Sequence, residues 1–277
     1  MADQDEATTQ DIETIAARLL SVLGTGRQIP PLSEAGARVD LAASYRVTAA
    51  VRRMREARGE VPVGRKIGFT NRTIWAEYGV FAPIWGYVYA HTVHDLAATG
   101  ASFGLAGLAE PRIEPEIVFG LAKAPTPDMD EEALLACIGW VAHGFEIVQS
   151  IFRKWIFAAP DTVAAFGLHG ALLVGVRHKV APRGEAWLRT LSAFEIDLLR
   201  DGIVVDHGLA ANVLDGPLSA LRHLVGLLAQ DPANPPLAAG EIVTTGTLTR
   251  AFPVLPGERW ETRLSGIGLD PLAVRFA

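Results

Sequence analysis

The stretch Glu110–Leu121, EPRIEPEIVFGL, decides how the chain is read. As a β-strand it sets Glu114 and Glu116 on one face and Ile113 and Ile117 on the other. Two neighbouring carboxylates repel each other and are costly to bury. A hard divalent cation between them would remove that cost, because such cations take oxygen ligands. A third carboxylate, Glu146 in HGFEIVQS, also lies between apolar neighbours, Phe145 and Ile147. Two readings follow: a three-glutamate metal site, or the polar outer face of a half-exposed strand. Alternation alone does not separate them, since any half-buried strand shows it.

Around this stretch the chain reads as a mixture of helices and strands. Its 277 residues suffice for one large domain or two small ones with a sizeable core. Hydrophobic residues make up 49% of the chain, which excludes a disordered protein. The net charge of -6 leaves no basic footprint for nucleic acid. The single cysteine, Cys137, permits no internal disulfide and reads as a buried structural thiol. The N-terminus is polar and acidic, unlike a signal peptide, and no apolar run approaches the ~18–20 residues of a membrane span. The expected location is the cytoplasm.

Residues 1–10 read as a frayed tail, and Asp11–Leu23 as a helix stopped by Gly24–Gly26. Leu41–Arg58 reads as a second helix, with Leu41, Tyr45, Thr48 and Val51 inward. The arginines Arg52, Arg53, Arg55 and Arg58 load its C-terminal half, as a solvated helix end would. From Val61 strands and turns dominate. In VGRKIGFT, Lys66 stands between Gly64 and Gly68 on its own face, which leaves room for a ligand beside the ammonium. A surface lysine on a glycine-weakened strand fits the same pattern. Asp130–His143 is expected as a helix with Leu134, Leu135, Ile138, Val141 and Ala142 inward. His143 is then either a base near Glu146 or a packed residue at that helix end. Asp161 suits a turn cap. A hairpin turning at Asp201-Gly202, a helix opening at Pro217 and a set of short C-terminal strands complete the chain.

The ordered series KIGFT, PIWG, PRIEPEIVF, FEIVQS, PDTVA, GPLSAL, AGEIVTTGTLT, PGERWE, GIG and VRF resembles the 2-keto-4-pentenoate hydratase / 4-oxalocrotonate decarboxylase family of the fumarylacetoacetate hydrolase superfamily. The resemblance spans nearly the whole chain. It implies an α+β fold: a mixed β-roll core over residues 63–277, with an N-terminal helical region over 1–62. It implies Mg²⁺ or Mn²⁺ held by Glu114, Glu116 and Glu146, an active-site lysine at Lys66, and substrate contacts at Asp161 and Thr247. It implies lyase chemistry on a 2-oxo or 2-hydroxy-enoate in aromatic-compound catabolism, with the cation as Lewis acid for the 2-oxo oxygen. A buried amine near a cation is expected to have a lowered pKa, suited to proton transfer. Self-association is implied too, with a hydratase or decarboxylase as a further partner.

Hydratases of the family often carry Pro-Asp-Phe-Gly where this chain has Pro83-Ile84-Trp85-Gly86. The missing acid, and the run RRMREARGE, lean toward a carboxy-lyase. The family's DSR is replaced by Gln149-Ser150-Ile151, and its ADNAS by Ala164-Ala165-Phe166-Gly167-Leu168. A retained metal site in a more apolar pocket follows, with Arg153, Lys154 and His169 as candidate replacements or as surface residues. Two other readings stay open: an acylpyruvate-type carbon–carbon hydrolase, needing His143 or His91 beside the metal, and a non-catalytic metal-binding relative.

Overall fold

The structure, a computed structural model, describes residues 9–34 and 39–277. The expected N-terminal tail falls outside them up to residue 8, and Thr9 and Gln10 already belong to the first helix. The helices are α1 (Thr9–Leu20), α2 (Leu41–Ala57), α3 (Trp75–Tyr78), α4 (Glu131–Leu135), α5 (Ala159–Ala164), α6 (Gly184–Thr190) and α7 (Pro217–Ala229). The strands are β1 (Pro62–Gly68), β2 (Ile84–Tyr89), β3 (Val93–Asp95), β4 (Ser102–Phe103), β5 (Arg112–Leu121), β6 (Ile138–Val148) and β7 (His169–Val174). They continue as β8 (His178–Lys179), β9 (Glu195–Arg200), β10 (Ile203–Leu209), β11 (Ile242–Thr244), β12 (Phe252–Pro253), β13 (Arg259–Ser265) and β14 (Ala273–Phe276). The fold is α+β.

One mixed sheet runs β2-β1-β11-β5-β6-β7-β3, with β12 on β5 and β8 on β6. A second runs β10-β9-β13-β14-β4. The rear face of the first sheet, with Ile113, Phe145 and Ile147, packs against Leu198, Trp260 and Val274 of the second. Burial of large side chains on this scale is the main stabilising term. Helices α1 and α2 form a separate apolar cluster with Ile151, Phe152 and Ala164–Phe166. Asp40 caps α2, its carboxylate accepting from the Ala43 N–H at 2.7 Å.

Two expectations are corrected. The helix expected over 130–143 ends at Leu135, and Ile138–Val148 is a central strand. Positions 138, 141 and 142 satisfy helical spacing, but the run is apolar on both faces, as a strand buried on both sides must be. The arginine-rich end of α2 is not uniformly solvated. Arg55 is buried, with its guanidinium 3.5 Å from the Tyr89 ring centre and 2.6 Å from Glu60, whereas Leu41 is exposed. The aromatic strand β2 supplies a stacking surface that helix periodicity does not announce.

Candidate active site

Register assembles the site. On the β5–β6 ladder Glu114 lies directly opposite Glu146, and Glu116 opposite Gly144. The three carboxylates therefore share one sheet face, and one oxygen from each can be chosen so that all lie within 4.8 Å of one another. Glu116 and Glu146 are wholly buried, and Glu114 is half-buried. The β1 strand brings Lys66 alongside, paired with Thr244 of β11 on one side and Gly86 of β2 on the other. Lys66 Nζ lies 3.2 Å from Glu146 Oε2.

The space around Lys66 is kept by glycines. A Cβ at Gly68 would sit 3.0 Å from the lysine Nζ. A Cβ at Gly86 would meet the Phe166 carbonyl oxygen at 2.6 Å, because the turn Phe166-Gly167-Leu168 lies directly over that strand. All three turn residues have positive φ, between 60° and 64°. For Phe166 and Leu168 this conformation costs about 1–2 kcal/mol each, and the surrounding packing holds them there.

The electrostatics are those of an acidic cluster with too few protein cations. Burial pushes the Glu114 carboxyl up to about 7, with Lys66 opposing and Glu146 reinforcing the rise. Burial, Glu146 and Glu114 raise Glu116 well above the usual carboxylate range. Burial also penalises ionised Glu146, but the Lys66 ammonium and the His169 hydrogen bond outweigh it and hold this group low. For Lys66, burial disfavours the ammonium, yet the three glutamates, Glu146 foremost, more than compensate and raise its pKa. The expected lowering thus requires that the carboxylate charge be neutralised first.

The site fits a divalent cation. Glu116 Oε2 accepts from the Gly246 N–H at 2.8 Å, while Glu116 Oε1 is buried with no hydrogen-bond partner. At Glu146, Oε1 lies 2.7 Å from His169 Nδ1, and Oε2 faces the Lys66 ammonium at 3.2 Å without a further partner. Buried bare carboxylate oxygens are rare unless something else satisfies them. All-oxygen carboxylate ligands suit Mg²⁺ or Mn²⁺.

Beside the carboxylates opens a cleft lined by Lys66, Phe69, Tyr78, Glu114, Trp155 and Thr247, among others. Ile74, Val148 and Leu168, the last from the substituted ADNAS segment, add apolar groups to its wall. Arg112, on the Glu114 face of β5, lies 4.3 Å from the Trp155 ring centre and donates to the Tyr78 hydroxyl at 2.6 Å.

Several expected residues lie elsewhere. Asp161 is engaged structurally: it accepts from Ser33 Oγ at 2.7 Å, the Ser33 N–H at 3.1 Å and the Ala158 N–H at 2.8 Å, and does not line the cleft. His143 faces the opposite side of the sheet, paired with Ile117. Its Nδ1–H donates to the Glu116 carbonyl at 2.9 Å and its Nε2 lies 3.0 Å from Thr262 Oγ1. Burial pushes its pKa down to about 4. His91 stands by Arg55 and Glu60, and Arg153 and Lys154 are exposed. His169, one of three candidates in the sequence, is the one the fold brings to the carboxylates.

No family model matches the chain. The 2-hydroxyhexa-2,4-dienoate hydratase of Comamonas testosteroni is 30% identical over 260 residues, 94% of this chain and 96% of that protein. A 4-oxalocrotonate decarboxylase of a Pseudomonas species is 31% identical over 261 residues, 93% and 95% of the two chains. The 4-oxalocrotonate decarboxylase from Pseudomonas putida G7, solved with magnesium and adipate, superposes with a TM-score of 0.87 at 26% identity, covering 98% of this chain and 99% of its own. The fumarylpyruvate hydrolase from Pseudomonas aeruginosa, solved with Mn²⁺ and pyruvate, reaches a TM-score of 0.58 at 16% identity over 78% of this chain and 90% of its own, a likeness of fold alone. At 30–31% identity over nearly the whole of both chains, and with the same fold, the chain belongs to the 2-keto-4-pentenoate hydratase / 4-oxalocrotonate decarboxylase family.

Proposed function

We propose that this chain is a divalent-cation-dependent lyase acting on a 2-oxo or 2-hydroxy-enoate of aromatic-compound breakdown. The observation that carries the reading is the convergence of Glu114, Glu116 and Glu146 oxygens beside Lys66, with the buried Glu116 Oε1 left without a hydrogen-bond partner. Glu114, Glu116 and Glu146 would hold the cation, with Mg²⁺ or Mn²⁺ as the proposed ion. When bound, it supplies Lewis acidity toward the carboxylate and 2-oxo group of the substrate. Lys66, buried with its stem beside the Phe166–Leu168 turn, holds at Nζ the proton that substrate carbon gains or loses. Thr247, whose hydroxyl donates to the Thr249 carbonyl at 2.9 Å, presents its oxygen as an acceptor at the cleft wall. The aromatic and aliphatic wall excludes water from all but the reacting end.

Among the described lining residues Lys66 is the single cation, so the wall favours an apolar tail on the substrate and with it hydration of an alkyl dienoate. A second reading, decarboxylation of a dicarboxylate, is favoured by Arg112. It lies on the Glu114 face with an unpartnered Nε, and Ile84 replaces the hydratase acid nearby. The hydrolase reading loses both its proposed bases, since neither His143 nor His91 stands beside the carboxylates. We also carry self-association into the proposal, supported by Ile203 and Val204 exposed along the edge strand β10. Among the described residues no helix is long and apolar enough to cross a membrane.

The test is a paired assay on Mg²⁺- or Mn²⁺-loaded protein, with Glu116→Gln as control. Cation-dependent loss of the ultraviolet absorbance of 2-hydroxypenta-2,4-dienoate identifies hydration. Carbon dioxide released from 4-oxalocrotonate identifies decarboxylation. Turnover of neither by the loaded protein overturns the reading.

A further inference from the structure

His169 owes its place to a single extra residue. The β6–β7 ladder pairs Glu146 with Leu172 and Ile147 with Ala171, but then Val148 with His169, so Gly170 is bulged out. In regular register His169 would share the rear face with Ala171 and Leu173; the bulge returns it to the face of Glu146. The bulge needs glycine, since a Cβ at Gly170 would meet the Ile147 carbonyl oxygen at 2.6 Å.

The ring is held at both nitrogens. Nδ1 lies 2.7 Å from Glu146 Oε1 and Nε2 lies 2.8 Å from Thr92 Oγ1. Thr92 is itself placed 2.8 Å from the Tyr89 carbonyl, on the turn after β2. The His169 carbonyl accepts from the Gln149 side-chain amide at 3.3 Å. The side chain is almost fully buried, and its neighbours Ala165, Phe166 and Leu168 offer no polar group that could take its place.

We infer that His169 is the positioning residue for Glu146, fixing the carboxylate plane through Nδ1–H so that Oε2 is left to face Glu114, Glu116 and Lys66. The inference rests on the cation-dependent reading above. An unrestrained glutamate carboxylate rotates about its last torsion with a broad, shallow preference; one oxygen tied to a rigid ring removes that freedom. Glu116 uses the same arrangement with a different donor, the Gly246 N–H, which leaves its other oxygen without a hydrogen bond. Outer partners of this kind set the orientation of a metal ligand and commonly contribute 10–100-fold in affinity.

Calorimetric titration of the cation-stripped full chain with Mn²⁺ tests this, alongside melting curves. His169→Ala is expected to weaken Mn²⁺ binding by about 10–100-fold. His169→Asn, whose side-chain amide can occupy the Nδ1 position, is expected to restore most of that loss. Thr92→Val, which frees the far side of the ring, is expected to weaken binding less than His169→Ala. A merely structural role would lower the melting temperature without this ordering of affinities. Wild-type binding with unchanged affinity in His169→Ala overturns the positioning role alone, as does a folded His169→Asn that binds tenfold or more weaker than wild type. A wild-type chain that binds no Mn²⁺ overturns both this inference and the lyase reading.

Discussion

Glu114 and Glu146 are direct partners across the antiparallel β5–β6 ladder, an arrangement that sets two carboxylates face to face. Like charges opposite each other destabilise a sheet, and here they are joined by a third, Glu116, on the same face. The scaffold tolerates this repulsion in order to hold the three oxygens together, and the predictions below follow from it.

Glu116→Gln removes an ionisable carboxyl whose ionised form is strongly disfavoured by burial and by its neighbouring glutamates. The cation-free protein should become more stable, by about 1–3 kcal/mol, while Mn²⁺ binding and turnover are lost. Denaturant unfolding with and without Mn²⁺ reads both effects: the ion should stabilise the wild type and leave the variant unchanged.

Lys66→Met separates proton transfer from cation binding. Removing the ammonium 3.2 Å from Glu146 Oε2 relieves competition for that oxygen, so Mn²⁺ should bind as tightly as before or more tightly. Turnover should fall about 10²–10⁴-fold. Steady-state kinetics beside a Mn²⁺ titration checks the split.

The pH dependence of cation affinity follows from the sign of the glutamate shifts. The Glu114 carboxyl, raised to about 7, carries its proton below that pH in the cation-free protein. A cation must displace this proton, so apparent affinity should fall as pH drops through 7 and rise above it. Glu116, raised well above its ordinary range, extends the rise to higher pH. Proton release on Mn²⁺ binding, measured calorimetrically in two buffers of different ionisation enthalpy, should be larger at pH 6 than at pH 8.

His143→Ala should behave oppositely to a site variant. It leaves the Glu116 carbonyl and the Thr262 hydroxyl without their buried partner. The expected loss is about 2–4 kcal/mol of stability. Mn²⁺ affinity should stay within a few-fold of wild type, since the ring faces away from the carboxylates.

Gly86→Ala tests the roof over Lys66. The added methyl would collide with the Phe166 carbonyl oxygen, so the turn must lift or β2 must shift. Overpacking of this kind costs about 1–3 kcal/mol. Turnover should fall more than cation affinity, because the turn lies beside the Lys66 stem, while the cation is expected to sit on the carboxylates.

The sequence made the site's inner members readable for different reasons. Glu114 and Glu116 were visible in the two-residue alternation of one strand, and Lys66 in its flanking glycines. Glu146 entered as a carboxylate among apolar residues, and the order of motifs joined it to the others. The strand that carries Glu146 reads as partly helical in sequence, because a run apolar on both faces satisfies two periods at once. His169 was one candidate of three, since a one-residue bulge reverses the facing of a side chain and leaves no mark in composition or spacing. Asp161 keeps the capping role its local sequence suits, and the substrate contact that the resemblance implies has no counterpart in its hydrogen bonds.

The parallel pairing of β1 with β11, which sets Lys66 beside Thr244, bears on how the chain acquires its shape. β11 lies between β1 and β5 in the middle of the large sheet, yet in sequence it follows both, beyond β6 to β10. Until that segment leaves the ribosome, β1 and β5 have no neighbour through which to meet. The lysine and the glutamates therefore come together only after β6 to β10 have been synthesised. Such non-local closure slows folding, and it leaves two open sheet edges on the nascent chain while it waits, the surfaces on which aggregation begins.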